Sequence, residues 1–214
     1  MVSIKCQAIL FDMDGTLVDS TRCVEAVWSR WAERHGLEVN YVLAASHGRR
    51  TLDALREIVP QLDLAQEALR LDAEELAWTE GIKAVQGAAA LLRQLPPHRW
   101  AIVTSAGRGL AKLRLECAGL PVPEVLVCAD DVPTGKPNPA GYLQAAKLLR
   151  IPADQCLVVE DTPAGVLAGR SAGMQVLAIT TTYPAACFLE TRCIRDFNGI
   201  QIAQTASDLE LYIL

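Results

Sequence analysis

Short apolar runs punctuate the chain at 8–11 (Ala-Ile-Leu-Phe), 100–103 (Trp-Ala-Ile-Val), 125–128 (Val-Leu-Val-Cys), 156–159 (Cys-Leu-Val-Val) and 176–179 (Val-Leu-Ala-Ile). Each is too short for a helix and is bounded by Gly, Pro, Asp or Thr. That is the pattern of strands buried on both faces of a parallel sheet. A weaker run near 193–197 extends the series. Between the runs lie helical patterns: 88–95 is rich in Ala and Leu, and 139–149 opens with a proline suited to a first helical turn. Pro163 plays the same part for a helix from 164 to about 172. This alternation predicts an α/β fold, a doubly wound, Rossmann-like parallel sheet with ligands at the carboxyl ends of its strands.

From Asp19 to Glu80 the alternation stops. Val24, Val27, Trp28 and Trp31 keep helical spacing, as do Leu52, Leu55, Ile58 and Val59, and Leu64 to Trp78 is dense in Ala, Glu and Leu. The expected organisation is therefore a core built from residues 1–17 and 82–214, interrupted at 18–81 by an all-helical cap domain. An insert with both ends near a site is placed to act as a lid. A helical layer packed passively on the sheet is the alternative.

Two aspartates, Asp12 and Asp14, follow directly on the first apolar run. Like charges that close repel, and each loses hydration at a packed sheet end. A hard cation such as Mg²⁺, which takes carboxylate oxygens and often a phosphate oxygen, would offset both costs. Further acids and a cation should then stand at later strand ends. Glu160 and Asp161 follow 156–159, the hydroxyls of Thr104 and Ser105 follow 100–103, and Gly135-Lys136-Pro137 precedes the 139–149 pattern. Taken singly, these are ordinary caps and loops; the order and setting give them meaning together.

Composition narrows the partners. A net charge of -5 in 214 residues leaves no basic surplus for nucleic acid. No stretch approaches the roughly 18 apolar residues of a membrane span, and Asp12 and Asp14 interrupt any signal-peptide core. The seven cysteines are scattered with no C-x-x-C pair, as small core residues in a reducing compartment would be. The expectation is a cytoplasmic protein without nucleic-acid or membrane partners, and no feature requires it to be more than a monomer.

Asp12-Met-Asp14-Gly-Thr16, then Thr104, Lys136 and Glu160-Asp161, resemble in identity and order the four motifs of the haloacid-dehalogenase-like phosphatase superfamily. The likeness runs from about residue 6 to 180, and the helical insert falls where that family carries a cap. Ser46-His-Gly-Arg-Arg-Thr51, Trp100-Ala-Ile-Val-Thr-Ser105, Gly135-Lys-Pro-Asn-Pro139 and Val159-Glu-Asp-Thr-Pro-Ala-Gly165 are similar to the sugar-phosphate and glycerol-phosphate phosphatases. The resemblance implies a Mg²⁺-dependent hydrolase of small phosphorylated sugars or polyols. Asp12 would be the nucleophile forming an aspartyl-phosphate, and Asp14 the general acid and base. Mg²⁺ would be held by Asp12, the backbone carbonyl of Asp14 and Asp161, with Glu160 ligating directly or from behind. Thr104, Ser105 and Lys136 would stabilise the phosphoryl oxygens.

Asp14 argues against a dehalogenase, which has no alkoxide to protonate. The absence of lysine from Cys6 to Ile82 argues against a phosphonate hydrolase, which uses a cap lysine. A phosphoglucomutase stays open, because Arg49 and Arg50 could hold a second phosphate. A silent binding protein on the same fold is the remaining alternative. His47, Arg49 and Arg50, around Gly48, are candidates for contacting substrate from a cap loop; otherwise the arginines face water. Trp28 and Trp31 read as core, and Gly165, Gly169 and Gly173 as a helix face packed closely on the sheet. His35, His98 and the tail from Tyr183 receive no role.

Overall fold

The computed structural model describes residues 2–205 and 208–213. Its centre is a six-stranded parallel sheet. In chain order the strands are β2 (Ala8–Phe11), β5 (Trp100–Val103), β6 (Val125–Val127), β7 (Cys156–Glu160), β8 (Gln175–Ile179) and β9 (Arg192–Ile194), arranged in space as β6-β5-β2-β7-β8-β9. The five apolar runs are thus strands, and the weaker sixth is a short edge strand.

Why these strands read as continuous apolar runs is visible in their packing. Ile9 and Phe11 face one hydrophobic cluster with Ile102, Leu157 and Val159, covered by α5 (Ala88–Leu92) and α6 (Arg108–Cys117). Ala8 and Leu10 face the other, with Ala101 and Val158, covered by α7 (Ala140–Leu149) and α8 (Pro163–Ser171). With helices on both sides, no strand residue of β2 or β5 is left to water.

The stretch after Asp19 forms four helices: α1 (Thr21–Arg34), α2 (Val39–Ser46), α3 (Thr51–Ile58) and α4 (Leu64–Ala77). They hold their own cluster, including Val27, Trp28, Trp31, Val42, Leu55 and Leu71. Trp31 is fully buried and its indole donates to Glu67 at 2.9 Å. His35 lies 3.2 Å from the same carboxylate, the role its sequence context did not suggest. Glu38 and Asp63 cap α2 and α4 by accepting from Tyr41 N and Gln66 N. Where the chain enters and leaves this layer, β3 (Val18–Asp19) and β4 (Lys83–Ala84) pair antiparallel and form a two-stranded neck.

The tail has a structural place. β11 (Leu209–Ile213) lies between β1 (Val2–Cys6) and β10 (Ile200–Gln204) in a separate antiparallel sheet. On α8, Gly165 and Gly169 do pack closely on the sheet. Gly173 does not: the helix ends at Ser171, and Gly173 has φ +75° with open space around it, so it terminates the helix instead. All seven cysteines are free. Among the described residues, no helix is long and apolar enough to cross a membrane.

Candidate active site

Asp12 sits one residue past β2, its backbone N–H continuing the ladder to Val159 O at 3.0 Å. Parallel order puts the ends of β5 and β7 on either side of it, so residues far apart in sequence converge. Lys136 arrives from the loop before α7 and is itself buried. Its ammonium contacts Asp12 Oδ1 and lies 2.6 Å from Glu160 Oε1. Asp12, Glu160 and Asp161 are all buried, and each offers a carboxylate oxygen within 4.8 Å of the others.

Three carboxylates share one ammonium here, and the imbalance shows in their titration. Burial pushes the Asp12 carboxyl well above the usual range; Lys136 opposes this, while Glu160 and Asp161 add to it. Asp161 is pushed up to about 7, mainly by burial and then by Glu160. A divalent cation beside these oxygens would restore charge balance, so the donor set fits a hard metal such as Mg²⁺. Glu160 is fully committed to protein donors: Tyr142 Oη at 2.9 Å on one oxygen, and Asp161 N, Thr162 N and Thr162 Oγ1 at 3.0–3.1 Å on the other. This bonding fixes Glu160 as the post that orients Lys136 and the Asp161 turn.

Gly15 lets the turn after the aspartates close. It has φ +81°, and a Cβ there would fall 2.0 Å from Asp161 Oδ2. Thr16 Oγ1 donates to Asp161 Oδ1 at 3.1 Å. Asp14 points to the other side, where Ser20 Oγ donates at 2.6 Å and Arg114 Nη1 at 2.9 Å. Arg114 Nη2 then donates to Glu75 Oε2 on α4 at 2.8 Å. One buried guanidinium therefore ties Asp14, which follows β2, to the helical layer. Sequence reading missed Arg114 because α6 gave no clean pattern; the one signal was an arginine spaced among Leu110, Ala111 and Leu115.

Thr104 and Ser105 stand at the end of β5. Thr104 Oγ1 accepts from Ala106 N at 3.1 Å, and Ser105 Oγ donates to Gly48 O at 2.9 Å. The hydroxyl of Ser105 thus holds the loop between α2 and α3 against the sheet end. Gly48, at φ +72°, approaches Thr162 so closely that a Cβ would lie 2.6 Å from its methyl.

The aspartates, Thr104 and Ser105 line a cavity of about 80 Å³, roofed by the helical layer. His47 and Arg49 reach it; Arg50 does not line it. Arg50 instead pairs with Asp53 and donates to the carbonyls of Val132 and Pro133 at 3.0 and 3.2 Å, spanning from α3 to the loop before Lys136. Arg49 donates to Glu57 at 2.6 Å and to Ala45 O and Asp53 O. Trp28 is in the helical core and also lines the cavity.

This arrangement has relatives. The chain is 48% identical over 181 residues to hexitol phosphatase A of Escherichia coli (strain K12), covering 82% of this chain and 84% of that one. It is 33% identical over 216 residues to glycerol-1-phosphate phosphohydrolase 2 of Saccharomyces cerevisiae, covering 94% and 86%. Among solved structures, a hydrolase from Pseudomonas syringae superposes with a TM-score of 0.79 at 26% identity, over 89% of this chain and 94% of that one. The family model for haloacid dehalogenase-like hydrolases matches residues 6–173, the span that carries Asp12, Asp14, Thr104, Lys136, Glu160 and Asp161, and the chain belongs to that family.

Proposed function

We propose that this chain is a Mg²⁺-dependent phosphatase of small phosphorylated sugars or polyols, working through a phosphorylated Asp12. The observation that carries the reading is the meeting of Asp12, Lys136 and Asp161 at one sheet end beside a cavity that also holds Asp14. The relatives named hexitol phosphatase and glycerol-1-phosphate phosphohydrolase support the substrate class.

In this mechanism a carboxylate oxygen of Asp12 attacks phosphorus in line, and the phosphorus–oxygen bond to the sugar breaks as the aspartyl-phosphate forms. Asp14 gives its proton to the departing alkoxide. It then takes a proton from the water that attacks the intermediate, releasing phosphate and returning Asp12 as a carboxylate. Ser20 Oγ and Arg114 Nη1, which donate to the two Asp14 oxygens, hold this carboxyl in place for both transfers. Lys136, the hydroxyl of Thr104 and the backbone amide of Ser105 face the phosphoryl oxygens. Asp12, Asp161 and the carbonyl of Asp14 would hold the Mg²⁺, with Glu160 behind them. When bound, it would supply positive charge that keeps these carboxylates ionised and offsets charge on phosphate.

Residues 18–81 act as the cap that shuts this site from water. The mutase alternative needs cationic groups in that layer free to hold a second phosphate, and both Arg49 and Arg50 are committed to carboxylates and carbonyls. The test is free-phosphate release from a panel of hexitol, hexose, glycerol and aryl phosphates. Release should require Mg²⁺, stop with EDTA and be lost in Asp12→Asn. Isomerised sugar phosphate without release would favour a mutase, and no turnover of any ester would favour a binding protein.

A further inference from the structure

The roof of the cavity is acidic. Asp72 and Glu75 stand one turn apart on α4, a spacing that puts both on one helix face, and both line the cavity. Glu75 is answered by Arg114. Asp72 has no cation within ion-pair distance among the described residues; Thr51 Oγ1 donates to it at 3.3 Å. Burial is the chief influence on its carboxyl and pushes it upward from the usual carboxylate range.

Arg114, which lines the cavity and is already paired with Asp14 and Glu75, offsets this in part, and the cations of the helical layer are not free to add to it. Arg49 and Arg50 are committed as described, so neither offers an unshared positive charge to a ligand. His47 lines the same cavity, and its Nε2 is buried with no hydrogen-bond partner among the described residues. Glu25 lies 4.0 Å from that nitrogen, beyond hydrogen-bond reach. Burial lowers the His47 pKa, which favours a neutral ring able to make one hydrogen bond without adding charge. Beside the hydroxyls of Thr21, Ser46 and Thr51, what the roof presents to a leaving group is the Asp72 carboxylate, the His47 imidazole and Trp28.

We propose that Asp72 determines which leaving group the site accepts: its carboxylate takes hydrogen bonds from the hydroxyls of an uncharged polyhydroxy chain and repels a second phosphate or a carboxylate. The proposal rests on the phosphatase reading above. An ionised carboxylate can only accept, and a polyol hydroxyl can donate. An anion brought under the same roof meets like charge in a partly dehydrated cleft, where such repulsion is least screened. Attraction for one ligand and repulsion of the other act together in one side chain.

The experiment compares kcat/KM for a six-carbon alditol monophosphate and a hexose bisphosphate, in the wild-type protein, Asp72→Asn and Asp72→Ser, with Mg²⁺ present. The wild type should prefer the monophosphate by about 100-fold or more, in the range open to sites that read hydroxyls. Both variants should lose activity on the monophosphate, mainly through KM, and gain it on the bisphosphate, narrowing the ratio by about tenfold. Opposite movements cannot arise from poorer folding, which lowers both. Parallel losses, an unchanged ratio, or a wild type that takes the bisphosphate equally well would overturn the assignment. An aryl phosphate keeps the two readings apart. If the wild type hydrolyses it and the discrimination is absent, the Asp72 proposal alone fails; if no ester is turned over, the phosphatase reading fails and takes this one with it.

Discussion

At position 136 a single ammonium is set against the carboxylates of Asp12 and Glu160, all three groups being buried. Removing one partner of such a set leaves uncompensated charge, which costs about 3–5 kcal/mol. Lys136→Ala should therefore lose stability on that scale in urea denaturation with EDTA present, and recover part of it with Mg²⁺. Asp161 sets a second expectation. Its carboxyl is raised from 3.8 to about 7 in the folded, metal-free protein. A group raised on folding stabilises fully below its unfolded pKa, and that contribution is lost as pH climbs through the folded one. Metal-free protein should thus lose stability from about pH 4 to 7, where the acids must ionise together. A bound cation relieves this, so the gain in melting temperature on adding Mg²⁺ should grow across that window. Reading the gain rather than the melting temperature cancels His47, whose lowered pKa acts in the opposite direction. A gain independent of pH would contradict the placement of Asp161 at the metal.

The helix α8 shows how an element is shaped by the site it supports. Gly→Ala within a helix ordinarily stabilises by about 1 kcal/mol. At Gly165 the added Cβ would fall 1.8 Å from Glu160 Oε1, displacing the carboxylate that holds Tyr142, Thr162 and Lys136. Losing those bonds outweighs the propensity gain, so Gly165→Ala should destabilise by about 3 kcal/mol and weaken activity. At Gly169 the nearest atoms are 3.0–3.2 Å away on Val176 and Val158, and the cost should be smaller. Equal effects at the two positions, measured by thermal melts, would count against this packing.

The same contrast explains what could be read from the sequence. Strands β2, β5 and β7 were legible because burial on both faces demands unbroken apolar runs, and Asp12 and Asp161 because strand ends gather at one edge of a parallel sheet; Lys136, in the loop before α7, was legible from the order of the motifs. Helix α6 was not, since Arg108-Gly-Leu-Ala-Lys mixes charge and glycine into its first turns. Neither was β11, whose five residues gain their meaning from pairing with β1, about 200 positions away in the chain. Arg114 joins the site only because folding sets it between Asp14 and Glu75. Arg49 and Arg50 looked alike in the sequence, but the turn into α3 sends them to different neighbours.

Across the whole molecule, three packed units divide the labour. The parallel sheet gathers Asp12, Lys136, Glu160 and Asp161, the helical layer roofs them, and the antiparallel sheet closes the opposite end, where Cys6 pairs with Leu209 just ahead of β2. Leu209 and Leu211 are almost fully buried. Deleting residues 208–214 forfeits their burial, worth about 4 kcal/mol together, and should lower the melting temperature by about 10 °C. KM of the folded fraction should stay unchanged, because the groups proposed to react lie at the far end of β2. An unaltered melt would show that this sheet does not hold the core. The most direct test of the whole account is the covalent state of Asp12 during turnover. Enzyme mixed with a hexitol phosphate and Mg²⁺, quenched in acid and digested, should yield the peptide bearing Asp12 heavier by one phosphoryl group, with no such species in Asp12→Asn. Steady turnover with that peptide unmodified, or with the phosphoryl group on another residue, would contradict it.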